Sequence, residues 1–349
     1  MQIQSVKIIR GLLFLFLLGG GLYLAKSFLV PVTFAALLAM LLTPVSIRIE
    51  KKGINKAVAA LACTLLFLLL IAVVIALLSW QVAGFAQDAD KVIAELNKIP
   101  GNVQEYIQAH LGIPVSQQQQ MIKGQGTGVG ARIAAVAGSA FSFIGSSLLV
   151  VIYLFLFIYY RTHLEAFILK LVAEGNRERT KKIIVSGSGV AQQYITGLAM
   201  MIGLLWVMYG IGFSIIGIRH ALLFAVLCGL LEIMPYVGNL AGCSLTAVMA
   251  YTQGGSSMAL WVLAVYAVVQ FTQTYLLEPL VVGARVSINP LCTIMVIIVG
   301  EMVWGIPGLM LAIPLLAIVK IICDNIPALQ PYGFLIGEVK HRQKKIKVT

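Results

Sequence analysis

The chain has 349 residues, 60% of them hydrophobic and 11% charged, with a mean hydropathy of +0.97 and a net charge of +12. Soluble domains run near half apolar and a quarter charged, so this composition excludes an ordinary soluble globule: there is too little charge to coat a water-facing surface. A lipid-facing surface lifts that demand, because only the backbone must then be paired internally, and the expected fold is an all-α polytopic membrane protein.

At the start, Lys7 and Arg10 precede an apolar run as in a signal peptide, but Tyr23-Leu24-Ala25 puts bulk where cleavage prefers a small residue. The stretch reads as an uncleaved first crossing. Apolar segments near 8–25, 27–46, 57–82, 139–160, 195–217 and 258–283 are each about long enough to span the hydrocarbon core. Two others, 220–251 and 289–323, are too long for one simple span and are broken at Pro235 and Gly238 and at Gly305-Ile306-Pro307-Gly308.

A cytoplasmic N-terminus puts most of the 25 Lys and Arg inside, as the charge bias of short loops requires. The basic tail from Lys340 to Lys347 stays inside only if both broken stretches cross or both turn back. The alternatives are eight spans, or six spans plus two re-entrant hairpins. Both put N- and C-termini in the cytoplasm of a bacterial inner membrane. Residues 83–138 then face the periplasm, with an amphipathic helix over 85–99 and a second short helix after Ser116. On the inner side Leu164, Phe167, Ile168, Leu171 and Val172 form an apolar stripe ahead of Arg177, Arg179, Lys181 and Lys182, suited to an anionic leaflet surface.

The sequence divides into N-terminal crossings (1–82), the periplasmic segment (83–138), a crossing with its cytoplasmic helix (139–194), a transport region (195–325) and a basic tail (326–349). The five cysteines and four histidines show no metal-ligand spacing, so no metal or cofactor is expected. The glycines of 124–130 follow no strand, which fails the context of a dinucleotide loop. There is no Walker A sequence and no nucleophile with a partnered base, so an enzyme is not expected. Orientation accounts for the positive charge, and nucleic acid is not implied.

The informative residues are Glu232, Glu278 and Glu301, the acids set in apolar surroundings. A charge at the bilayer centre costs about 2.5–3.5 kcal/mol on insertion scales, so it normally faces a cavity or a partner. Glu232 precedes the break Pro235-Tyr236-Val237-Gly238-Asn239, and Glu278 adjoins Pro279. Proline frees backbone groups that only protein or a water-filled cavity can satisfy, and such discontinuous helices form solute sites in secondary transporters. Gln270, Gln273, Thr274 and Glu278 are spaced to share one helix face, which suits a hydrated path or a hydrogen-bonded helix contact.

Together with Val30-Pro31, Leu42-Thr43-Pro44, Asn289-Pro290, Ala312-Ile313-Pro314 and Val319-Lys320, these breaks follow an order and spacing that resemble the autoinducer-2 exporter family of bacterial permeases over nearly the whole length. The resemblance implies a homo-oligomer, a pentamer, whose subunits each move solute by an elevator-like motion. It also implies two hairpins that bind substrate near Pro235, Tyr236, Gly238 and Asn239 and near Gly305 and Pro307. Glu232 and Glu301 stand outside the family pattern and rest on physics alone.

The expected function is a permease for a small polar solute, with an autoinducer-2-type molecule as the candidate from the resemblance. The alternatives are cation/proton antiport, with protons or sodium as partners, and a non-transporting membrane scaffold.

Overall fold

A computed structural model of the chain describes residues 2–77, 79, 129–234, 237–282 and 288–338. The helices expected over 85–99 and after Ser116, the glycines at 124–128, Pro235, Tyr236 and the tail from 339 lie outside these residues. Among the described residues all regular elements are helical, so the expected all-α class holds. Six helices are long and apolar enough to cross a membrane.

The first bundle comprises α1 (Gln2–Leu24), α2 (Lys26–Glu50), α3 (Lys56–Leu77) and α4 (Val129–Leu171). Small residues set its spacing: Ala35 and Ala39 of α2 meet Ala60 and Cys63 of α3 and Leu154 and Ile158 of α4, all buried. α2 carries Pro31 and Pro44 in its interior. Thr33 and Thr43 donate to the carbonyls of Leu29 and Ala39, at 2.7 and 2.6 Å, engaging carbonyls near each proline.

One end of this bundle is tied by charge. Arg161 of α4 donates two hydrogen bonds to Glu50, at 2.9 and 2.5 Å, and a third to the buried Ser46 hydroxyl at 3.1 Å. Ser46 in turn donates to Glu50 at 2.9 Å. Lys56 reaches Thr162 at 2.7 Å.

Here the structure differs from the expected segmentation. The apolar stripe at 164–172 is not a separate surface helix for most of its length: α4 runs unbroken to Leu171. α5 (Arg177–Ile216) likewise takes the basic run Arg177–Lys182 as its own first turns. Neither stretch holds a helix breaker, so each helix simply continues through it. The stripe keeps its character, with Phe167 and Leu171 exposed.

The second region is built on α5. This helix stops at Gly217, whose φ of 83° places it in the left-handed region. The amide of Ile218 returns to Phe213 at 3.0 Å, and both side chains are buried, which is a Schellman stop with its apolar contact. Then follow α6 (Ala221–Leu231), α7 (Val237–Thr272), a π-helical turn (Gln273–Val282), α8 (Pro290–Trp304), α9 (Ile306–Asn325) and α10 (Gln330–Ile336).

α7 joins the second arm of the first broken stretch to the expected sixth crossing. The two are separated by a kink at Gly254 and Gly255, the latter with φ 71°. α6 and α7 pack against α5 around Tyr209, Phe213, Phe224 and Val262. α9 packs on α2 and α5 through Leu37, Ala191 and Leu311, which joins the two regions.

Candidate solute site

Both broken stretches form helical hairpins. α6 tightens at its end, with the amides of Ile233 and Met234 donating to Leu230 and Leu231 at 3.2 and 2.9 Å. The Gly238 amide then donates to the Met234 carbonyl at 2.9 Å as α7 begins. A Cβ on Gly238 would enter the Leu231 carbonyl, and one on Gly242 would stand 3.2 Å from Cys228 Sγ. Glycine therefore lets the two arms meet.

The second hairpin turns on one residue. Gly305 has φ 65° and ψ −144°, a conformation L side chains rarely adopt. Its amide donates to the Glu301 carbonyl at 2.7 Å. Pro307 lies in the first turn of α9, where its missing N–H costs nothing. A Cβ on Gly300 would lie 2.6 Å from the Gly308 carbonyl oxygen, and one on Gly308 would run into Gly300. The hairpins touch: Met234, beside the first break, packs with Ile297, Leu309 and Ala312 of the second. Trp304 fixes the second tip to α1 by a bond from Nε1 to the Leu22 carbonyl at 3.0 Å.

Between these elements lies the polar centre. Gln273, 1% exposed, donates from Nε2 to Glu232 Oε1 at 2.6 Å, linking the start of the π turn to the end of α6. Glu278 lies within electrostatic reach of both Glu232 and Tyr194 of α5. The side-chain oxygens Gln270 Oε1 and Gln273 Oε1 are buried and accept no hydrogen bond.

The expected single polar face is only partly realised. Gln273 turns inward while Thr274 and Glu278 are exposed, because the π turn closes i→i+5 bonds and changes the angle per residue after Gln273. Pro279 falls in that turn. Asn239 contributes its carbonyl, which accepts from Tyr266 Oη at 2.7 Å. Gly238, Gly305 and Pro307 shape the hairpins. Glu301 is exposed and joins none of this. Among the described residues no three His, Cys, Asp or Glu side chains are grouped to hold a metal ion.

A family profile described as AI-2E family transporter matches residues 12–328. The chain belongs to the AI-2E transporter family. It is 24% identical over 312 residues to YueF, a candidate transport protein of Bacillus subtilis, covering 85% of this chain and 83% of that one. It is 23% identical over 328 residues to PerM, a candidate permease of Escherichia coli K12, covering 88% and 90%. The AI-2E family comprises membrane permeases rather than enzymes, which fixes this chain as a multi-pass permease.

In this AI-2E member, sequence reasoning missed Tyr209, Tyr266 and Met234. Tyr209 and Tyr266 stack with ring centroids 5.8 Å apart, and both lie within electrostatic reach of Glu232. Tyr266 precedes Gln270 by four residues and Gln273 by seven, so the helical period already pointed to it. Tyr209 and Met234 carry no such signal, because they join the site only through packing of α5 and of the hairpins.

Proposed function

We propose that the chain carries a small polar solute across the inner membrane through the hairpin region, with Glu232, Gln273, Gln270 and Glu278 contacting it. The observation that carries this reading is the buried Gln273–Glu232 bond at 2.6 Å beside two amide oxygens with no partner. Each unpartnered buried oxygen costs about 1–3 kcal/mol, a cost that a solute with hydrogen-bond donors would offset. An autoinducer-2-type molecule, rich in hydroxyl groups, fits that demand.

The hairpins are re-entrant in this reading. At about 1.5 Å per residue α6 and α8 are about 16 and 22 Å long, short of a hydrocarbon core of about 30 Å. α9, at about 30 Å, is long enough to span, but its uninterrupted apolar run ends at Lys320 after about 21 Å, and in this reading it turns back with α8. With both hairpins returning to their own side, the basic N-terminal and C-terminal ends share the cytoplasm. The hairpin region then moves as an elevator against the α2–α3–α4 bundle, within a homo-oligomer.

Flux into proteoliposomes with a panel of small polar solutes tests the proposal. Saturable uptake that falls in Gln273→Leu supports it; no solute exceeding empty vesicles sinks it. A second reading, proton-coupled cation exchange, is favoured by one observation: Glu232 and Glu278 lie within electrostatic reach of each other, and among the described residues neither is ion-paired. Under that reading Glu278→Gln abolishes pH-driven flux; under simple hydrogen bonding it leaves part of the flux intact.

A further inference from the structure

Among the described residues, the walls of this site hold acceptors and no positive charge. From 221 to 319 the chain holds no Lys and no His, and its one Arg, at 285, is outside the described residues. The described part of α5 after Lys182 holds no basic residue either. Arg219 and His220 stand at the opposite end of α6, about 18–20 Å from Glu232 at 1.5 Å per residue.

The orientation of the Gln273 amide is set by its neighbour. Glu232 accepts from Nε2, so the carbonyl edge of the same amide must face away from the carboxylate. That oxygen is buried with no donor, and the Gln270 oxygen one turn earlier is in the same state. Neither amide can satisfy itself by flipping without turning an acceptor toward a carboxylate or leaving the same oxygen unmet elsewhere in an apolar wall. The Tyr209 hydroxyl is also buried without a partner, but it carries no charge; what the two amide oxygens lack is a donor, and the carboxylates of Glu232 and Glu278 set the sign of its charge.

The layout also limits the kind of cation. Gln270, Gln273 and Glu278 are strung over roughly 10 Å of helix, a row rather than a cage. A dehydrated metal ion needs several oxygens converging on one point. Acceptors spaced along one helix, with the apolar Met234 of the adjoining hairpin beside Glu232, suit an N–H-bearing head with a short hydrocarbon body.

We propose that the solute class of this site is a small primary ammonium compound, its N–H groups donating to Gln270 Oε1 and Gln273 Oε1 and its charge balanced by Glu232 and Glu278. This rests on the reading that the hairpin region carries solute. The full chain in nanodiscs is titrated calorimetrically at constant ionic strength with butylammonium, tetramethylammonium, sodium, ribose and butyrate. Saturable butylammonium binding is expected, weakened about tenfold in Gln270→Leu, which removes an unpartnered oxygen and no existing bond, and in Gln273→Leu. Tetramethylammonium, which has the charge without N–H donors, binds at least tenfold more weakly.

Saturable binding of ribose, sodium or butyrate that is lost in Gln270→Leu, with no butylammonium binding, overturns the ammonium class while leaving the solute site standing. Butylammonium binding unchanged in both variants overturns the site assignment. If no probe binds to the wild-type chain, the class is overturned, and proteoliposome flux with the wider panel then decides the transport reading separately.

Discussion

The two halves of the molecule handle buried carboxylates in opposite ways. In the first bundle Glu50 receives two hydrogen bonds from Arg161 and one from Ser46. It is saturated, and its role is to hold α2 against α4. In the hairpin region Glu232 receives one bond from a neutral amide, and that amide keeps an oxygen unmet. A saturated ion pair fixes a geometry, whereas an unsaturated acceptor group leaves capacity for a ligand. The same contrast runs through the backbone. α2 is an unbroken helix with two prolines accommodated inside it, but the hairpin region is interrupted at 232–234, at Gly254–Gly255, at the π turn and at Gly305. In the function proposed above, the first half is the frame and the second the part that works.

The comparison can be broken in several places. Gly308→Leu should have the largest effect, because the new side chain meets the Gly300 backbone and cannot be accommodated by a rotamer change. A loss of about 3 kcal/mol is expected from such overpacking, seen as a large fall in thermal unfolding temperature in detergent. Wild-type-like stability would show that the hairpin arms are not in contact.

Arg161→Ala comes next. It leaves Glu50 half-buried with only Ser46 as donor, and about 2 kcal/mol of stability should be lost. Binding or flux per folded molecule should stay unchanged, since the frame does not touch solute. An equal loss of flux and stability would erase the division between frame and working part.

Glu232→Gln should do the reverse. Removing the charge from an apolar site leaves thermal stability equal or higher, while flux falls about tenfold, equivalent to roughly 1.4 kcal/mol. Unchanged flux at saturating and subsaturating solute would remove Glu232 from the site. Asn289→Ala tests how the second hairpin is set at its base. The Asn289 side chain accepts from the Leu291 amide at 2.9 Å at the start of α8, and losing this cap should cost about 1 kcal/mol. The smallest effect belongs to Lys320→Ala. Its bond to Asp324 at 2.6 Å is an exposed pair one turn apart, and a change below about 0.5 kcal/mol is expected in thermal unfolding.

Much of this was legible before any coordinates. The breaks at 232–238 and 305–308 were visible because Pro and Gly have fixed backbone consequences in any setting. Glu232 and Glu278 stood out because charge is rare in apolar surroundings, and the period of the helix grouped Gln270 with Gln273. The bond from Gln273 to Glu232 was not legible, since 41 positions separate the partners and no local rule links them. The π turn was equally hidden. Pro279 announces a disturbance, but whether the helix kinks, stops or widens depends on what packs beside it. The Arg161–Glu50–Ser46 cluster escaped notice for a different reason: near the ends of apolar stretches such charges read as ordinary loop residues. Glu301 is the instructive opposite case, singled out by its apolar neighbours and then found exposed on α8.

By itself, then, the sequence determined that this is an all-helical membrane chain, because hydropathy and charge bias act through the solvent and need no knowledge of neighbours; the permease type came from the resemblance carried by its Gly and Pro breaks. It also located the breaks, since backbone stereochemistry is local. Only the tertiary structure decided which polar groups meet, which way the Gln273 amide faces and where one helix ends and the next begins. Those outcomes depend on contacts between distant segments, where packing space and unsatisfied hydrogen bonds choose among conformations that local sequence leaves equal.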